Sequence, residues 1–217
     1  RWKSLVGISD VDAADHIYND GIHILIDLSG HTAQNRLPIF AWKPAPVQIS
    51  WLGYFASTGV ADIDYILGDP YVTPTEEANH FSEKIWQLPE SYICFTEPEV
   101  DIDVVSLPAL DKKKITFGCF NKIARITDPV VRVWSEILLA VPTAVLFLKD
   151  KYFDTVSVRD SFCNRFNVNG IQKDRLILEG GSPRSKYLAA YNRVDIALSP
   201  FPYGGGTTSA EGLWMGV

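Results

Sequence analysis

The second half of the sequence predicts an α/β fold with a parallel sheet, because near-continuous apolar runs alternate there with helix-like segments. Apolar runs of this kind are typical of strands buried on both faces. The predicted strands are 114–121, 144–149, 175–179 and 194–200, and the predicted helices after them are 127–142, 155–168, 184–193 and 207–215.

Residues 127–142 form the clearest predicted helix. Thr127 or Asp128 can cap its start, and Pro129 stands in its first turn, where proline is tolerated. Helical spacing predicts one apolar face, made of Val130, Val133, Trp134, Ile137, Leu138 and Val141.

The first half carries weaker signals of the same kind. Its predicted strands are 21–28, 47–53, 63–69 and 84–89, with a helix or turn at 73–84. Prolines limit any helix in 31–46 to a short one. Residues 96–114 combine prolines, acidic residues and three lysines without periodicity, which indicates a linker. We therefore predict two domains, 1–110 and 111–217.

Composition narrows the possible partners and location. A net charge of −6 argues against general binding to nucleic acid or to an anionic membrane. No apolar stretch is long enough to span a bilayer, and no signal peptide is visible. The three cysteines (Cys94, Cys119 and Cys163) form no C-x-x-C pair, which favours a reducing compartment, the cytoplasm, over a disulfide framework or a zinc site.

A run of three glycines leads into Thr207 and Thr208 at the start of the last predicted helix; we call residues 204–208 the Gly-Thr loop. A helix N-terminus attracts anions, and glycines allow a ligand to approach the backbone closely. The loop therefore suits a phosphate, although a threonine that only caps the helix is the alternative. Neither G-x-x-x-x-G-K-[ST] nor G-x-G-x-x-G occurs.

Three polar loops follow predicted strands and are expected to meet at one edge of the sheet, since ligands of open parallel sheets bind outside the carboxyl ends of the strands. They are the Gly-Thr loop, 119–127 and 180–187. Their cations are Lys122, Arg125 and Arg184. This grouping predicts an anionic ligand.

Long segments resemble the catalytic region of the O-GlcNAc transferase and SPINDLY family, in the same order along nearly the whole chain. They are "GIHILIDLSGHTAQNRLPIFAWKPAPVQISWLGY", "FNKIARITDPVVRVWSEILLAVP" and "YLAAYNRVDIALSPFPYGGGTTSAEGLWMGV". The resemblance implies a GT-B fold of two Rossmann-like lobes with parallel sheets, both incomplete here, with the donor sugar nucleotide between them. Family members usually carry tetratricopeptide repeats before this region, and this sequence has none, in agreement with our interpretation of the chain as an excerpt of a longer protein.

The resemblance also implies an activity. Members transfer a sugar, usually N-acetylglucosamine from UDP-GlcNAc, to Ser or Thr of an acceptor protein, and we expect inversion at the sugar. No well-placed D-x-D motif is present, because 62–64 begins a strand and 101–103 lies in the predicted linker. We therefore expect neither a metal nor another cofactor, and expect cations and helix-end amides to serve instead.

By resemblance, Thr207 and Thr208 hold the donor's diphosphate through their amides and hydroxyls. Arg125 stands where the family has a lysine that stabilises the leaving diphosphate. Lys122 stands near the phosphates, where the family has Gln or Asn. Glu211 matches an acidic residue that binds the ribose.

Other matches concern the base and the acceptor side. Arg184 and Tyr187 fall in the stretch that holds the uridine, with Tyr187 replacing a histidine that stacks on the base. Gly206 stands where some relatives have a larger residue. His23 matches a histidine of some relatives and is our candidate general base, with a core histidine as the alternative.

Two further functions remain open from the sequence. SPINDLY-type relatives use GDP-fucose as the donor. The second is a module that binds a nucleotide sugar without turnover. It stays open because Arg125 replaces the lysine of the family, and the forked guanidinium differs in shape from the point charge of lysine.

Overall fold

The computed structural model describes residues 2–217, and the chain divides into two compact units between Cys94 and Phe95. In the first unit, four parallel strands lie in sequence order in one sheet. Its elements are α1 (Asp10–Asn19), β1 (Ile24–Asp27), α2 (Leu37–Phe40), β2 (Val47–Ser50), β3 (Tyr65–Gly68), a 3-10 helix (Thr75–His80) and β4 (Lys84–Gln87).

Helix α1 is absent from the sequence prediction. It begins after Ser9, whose Oγ accepts a hydrogen bond from the Asp12 amide at 3.1 Å. Its buried residues are the small Ala13 and Ala14, which pack with α2 and Ile63. A helix that buries alanines lacks the stripe of large apolar residues by which helices are recognised.

The sheet of the first unit is covered unevenly. Helices α1 and α2 pack on one face, whereas Ile24, Ile26 and Trp86 on the other face are 56%, 43% and 54% exposed. The expectation that β1 is buried on both faces is therefore wrong within the first unit. No helix among residues 2–94 covers the face that carries Ile24 and Ile26.

Buried carboxylates fix the loops of this unit. Asp69 accepts hydrogen bonds from the amides of Tyr71, Val72 and Tyr92. Glu83 accepts from the Thr58 amide at 2.7 Å and from the Ser57 hydroxyl at 2.8 Å. Burial by itself raises the pKa of Glu83, but these hydrogen bonds to the charged form outweigh it and lower the pKa below its usual value.

Because the pKa of Glu83 is lower in the folded state, its contribution to stability is present above the unfolded pKa, about 4.3, and is lost as the pH falls through the folded pKa. We expect the hydrogen-exchange protection of the Thr58 amide in the full-length protein to be constant from pH 7 to 5 and to fall below that. In Glu83→Gln, protection should be low throughout and no longer depend on pH. Unchanged wild-type protection down to pH 3 would contradict this.

The second unit contains a four-stranded parallel sheet in the order β7-β6-β5-β8. Its strands are β5 (Thr116–Cys119), β6 (Val145–Lys149), β7 (Leu176–Glu179) and β8 (Ile196–Ala197). Its helices are α3 (Pro108–Lys112), α4 (Asp128–Ala140), α5 (Val156–Asn167), α6 (Arg184–Ala189) and α7 (Thr207–Trp214), with 3-10 helices at Ile123–Arg125, Lys151–Asp154, Lys173–Arg175 and Ala190–Arg193.

Helices cover both faces of this sheet, as the alternating pattern predicts. Alternate residues of β6 point to opposite faces. Leu146 and Leu148 pack with α4 and α5, while Phe147 packs with α6 and Tyr191. The predicted apolar face of α4 needs one correction: Val131 is buried and Val133 is 37% exposed. Because α4 contacts α5 as well as the sheet, its buried stripe extends to Val131.

The predicted linker is packed against the second unit. Val100 and Ile102 contact the core on the α6 face, and the Asn192 amide donates to the Asp103 carbonyl at 2.8 Å. The Asp195 carboxylate accepts from the amides of Ala109 and Thr116, at 2.7 and 2.8 Å. The compact units therefore divide earlier than the predicted boundary between 110 and 111.

Candidate functional site

The loops that follow the carboxyl ends of β5, β7 and β8 lie at one edge of the second sheet, since all its strands are parallel. They carry Lys122, Arg125 and the start of α6 and α7. Lys122 is exposed, and no carboxylate of residues 2–217 pairs with it. This edge is where a parallel sheet binds its ligand.

Helix α7 begins with free backbone donors. Gly206 is the N-cap and has no side chain to cap the helix, and the first amides to bond are those of Ser209 and Ala210, both to the Gly206 carbonyl. Among residues 2–217, no acceptor lies within hydrogen-bond distance of the amides of Gly206, Thr207 and Thr208. Neither threonine caps α7, so the start of the helix offers unpaired N–H groups and a partial positive charge.

Side-chain contacts fix the Gly-Thr loop. The Thr208 hydroxyl donates to Asn121 Oδ1 at 2.9 Å, so its hydrogen is engaged by a side chain of the protein in this structure. The Arg125 guanidinium donates through Nη1 to the Gly204 carbonyl. A Cβ on Gly206 would meet no atom within 4 Å, so this residue borders open space.

Glu211, Arg184 and Tyr187 form one cluster beside the start of α7. Glu211 is 2% exposed, and its Oε1 lies 2.6 Å from Arg184 Nη2. The Arg184 guanidinium also lies 5.7 Å from the centroid of the Tyr187 ring, which brings Tyr187 into the same cluster. Burial, followed by the charge of Glu211, raises the pKa of Tyr187, so this phenol stays neutral at pH 7.

The ring of Tyr187 is half-buried and packs against the core of the second unit. It packs edge-on against Phe120, at 5.6 Å between centroids, and against Tyr191 at 5.9 Å. These contacts fix its orientation while part of it stays accessible.

His23 lies away from the edge where a ligand is expected. It precedes β1, at the amino end of the first sheet, and it is exposed, so the core alternative is also wrong. His31 follows the carboxyl end of β1, with Nε2 3.2 Å from the Ser57 carbonyl. In the sequence, His23 lies near the amino end of the predicted strand 21–28 and His31 lies beyond its carboxyl end. Because ligands bind at the carboxyl ends of parallel strands, this difference could have favoured His31 over His23 as a site residue.

One of the carboxylates considered for a metal, Asp64, has another role in the structure. Asp64 is paired with Lys43 at 2.7 Å and accepts from the Gln48 amide. Nowhere in residues 2–217 do three histidine, cysteine or carboxylate side chains come together as metal ligands. In the same described part of the chain, no helix has both the length and the hydropathy needed to cross a membrane.

Comparison with known proteins decides the family. The sequence model of glycosyl transferase family 41 matches residues 4–100 and 100–217. The chain belongs to this family. The family 41 resemblance indicated by the sequence motifs is thus confirmed.

Several relatives cover the whole chain or nearly so. The chain is 39% identical over 217 residues to a probable UDP-N-acetylglucosamine–peptide N-acetylglucosaminyltransferase SPINDLY from Eustoma exaltatum subsp. russellianum, of which it covers 24%. It is 33% identical, over 95% of its length, to a probable enzyme of the same activity named SEC from Arabidopsis thaliana, and covers 22% of that protein. The chain thus spans about a quarter of the length of the curated relatives it matches.

Solved structures support the GT-B-like α/β fold. A mutant O-GlcNAc transferase from Thermobaculum terrenum matches all of this family 41 chain with a TM-score of 0.90 and 36% identity, over 41% of its own chain. The pneumococcal O-GlcNAc transferase GtfA, solved with UDP and GlcNAc, matches 94% of the chain with a TM-score of 0.52 at 12% identity. The match covers 43% of the GtfA chain. The second likeness shows the fold alone.

Proposed function

We propose that the chain is part of an inverting, metal-independent protein O-glycosyltransferase that moves N-acetylglucosamine from UDP-GlcNAc to Ser or Thr of an acceptor protein. The observation that carries this proposal is the set of unpaired amides at Gly206, Thr207 and Thr208, next to the Arg125 guanidinium. Family membership and the names of the relatives support the same chemistry.

The amides at the start of α7 bind the diphosphate of the donor, because a helix N-terminus offers unpaired N–H groups to anions. Arg125 uses one guanidinium nitrogen on the Gly204 carbonyl and keeps other N–H groups for phosphate oxygens. Lys122, exposed on the same loop, adds a second positive charge. These groups do the electrostatic work for which many transferases use a metal ion.

In the transfer step, the acceptor hydroxyl oxygen bonds to the anomeric carbon from the face opposite UDP. The bond from that carbon to the diphosphate oxygen breaks, and the electron pair leaves with the diphosphate. Arg125, Lys122 and the α7 amides stabilise this growing negative charge. The acceptor proton passes to a general base. His23 is not proposed for this role, because it lies at the amino edge of the first sheet and not at the carboxyl edge.

Arg184, Tyr187 and Glu211 form the nucleoside side of the proposed site. The accessible part of the Tyr187 ring offers a surface for the base to stack on. Glu211 accepts hydrogen bonds from the ribose hydroxyls. Its carboxylate then binds both the ribose and Arg184.

The test uses the full-length protein with a library of Ser- and Thr-containing peptides and either UDP-GlcNAc or GDP-fucose, read out by mass spectrometry. We expect N-acetylglucosamine transfer that is unchanged by EDTA. Fucose transfer would favour the SPINDLY-type donor instead, and nucleotide binding without transfer would favour a binding module. Activity that EDTA abolishes and magnesium restores would contradict metal independence.

A further inference from the structure

Asn121 has no assigned function in the proposed site, but its side chain joins the segment after β5 to the Gly-Thr loop. It stands two residues after β5 and is 7% exposed. Its Oδ1 accepts from the Thr208 hydroxyl at 2.9 Å, and its Nδ2 lies 3.7 Å from Cys119 Sγ. The carboxamide is therefore fixed at both ends.

The loop backbone rests directly on this carboxamide. A Cβ on Gly205 would lie 2.6 Å from Asn121 Oδ1 and 2.3 Å from Thr208 Oγ1. A side chain at this position would have to displace Asn121 Oδ1 or Thr208 Oγ1, so close approach favours glycine at 205. The sequence places its glycines where the loop has to meet Asn121 as well as a ligand.

Thr208 is held at a second atom. The Tyr191 hydroxyl donates to the Thr208 carbonyl at 2.9 Å, while the Thr208 hydroxyl is bound to Asn121. These two bonds fix the first turn of α7, where the amides of Thr207 and Thr208 donate to no acceptor among residues 2–217. An anion site made of backbone amides binds well only when their directions are fixed before the ligand arrives.

We propose that Asn121 is a positioning residue for the donor's diphosphate: through Thr208 it orients the amides of the Gly-Thr loop. This inference rests on the proposed function, since it names the residue that organises that same site. Asn121 itself touches no phosphate. It acts only through the Thr208 hydroxyl.

A double-mutant cycle in the full-length protein tests this role, with the dissociation constant of UDP as the measurement. Asn121→Ala and Thr208→Val should each weaken UDP binding about five- to tenfold, the usual cost of one lost buried hydrogen bond. The double variant should bind no more weakly than either single variant, because all three lack the same bond. Thr208→Ser keeps the hydroxyl that Asn121 binds and should recover most of the UDP affinity that Thr208→Val loses. Losses that multiply would mean that Thr208 contacts the phosphate independently, and would overturn the proposal.

Ser135→Ala is the matched control, because the buried Ser135 hydroxyl donates to the Val131 carbonyl at 2.7 Å inside α4. It should lower the melting temperature and leave UDP affinity unchanged. A second measurement needs no ligand: in Asn121→Ala, the amides of Ser209 and Ala210 should exchange with solvent faster than in the wild type. Unchanged exchange would overturn the positioning role. A wild-type protein that binds neither UDP nor GDP would instead count against the proposed function.

Discussion

Arg125→Ala in the full-length protein is expected to lower kcat for sugar transfer about 10²- to 10³-fold, the usual effect of removing one preorganised donor from a developing negative charge. Arg125 is half-buried at the carboxyl edge of the second sheet and is fixed there by its bond to the Gly204 carbonyl. The charge on the leaving diphosphate grows in the transition state, so kcat should fall more than the affinity for the donor.

Two further substitutions separate the charge of Arg125 from its contact with the loop. Arg125→Gln keeps a donor for the Gly204 carbonyl but removes the charge, so it should lose nearly as much kcat as alanine. Arg125→Lys keeps the charge as a point rather than a fork and should retain most of the rate. If the glutamine variant were fully active, Arg125 would be only a loop anchor. Arg132→Ala, exposed on α4, is the matched control and should leave transfer unchanged.

The sequence predicts the second sheet well because its central strands, β5 and β6, are buried on both faces. All five residues of β6 are buried, and the first four, 145–148, form an uninterrupted apolar run before Lys149. The bounds of β8 are harder to predict. Only Ile196 and Ala197 pair with β5, whereas the predicted strand covers 194–200. Ladder pairing depends on a neighbouring strand, and that information lies outside any local pattern.

The site was predictable at the level of loops but not of hydrogen bonds. Parallel topology brings the residues after each strand to one edge, which places Lys122, Arg125 and Thr208 together. The bond from Thr208 to Asn121 joins residues 87 positions apart, and no local periodicity encodes it. The first unit shows the same limit, because α1 buries alanines rather than a stripe of large apolar side chains.

Glu211→Gln in the full-length protein is expected to weaken UDP binding roughly ten- to a hundredfold, the cost of losing hydrogen bonds to a charged acceptor. The Glu211 side chain is 3% exposed and is already paired with the Arg184 guanidinium. A charged carboxylate can accept several donors at once, so it can hold Arg184 and the ribose together, whereas the glutamine carbonyl has fewer sites to share.

A UDP analogue that lacks both ribose hydroxyls separates recognition of the sugar from support of Arg184. The wild type should bind this analogue about tenfold more weakly than UDP, since a charge-assisted hydrogen bond is lost. In Glu211→Gln the two ligands should bind almost equally, because the group that distinguishes them is gone. Arg184→Met keeps the carboxylate and should preserve the preference for UDP even though overall affinity falls. If Glu211→Gln kept the full preference, the carboxylate would serve only to hold Arg184, and the ribose would be recognised elsewhere.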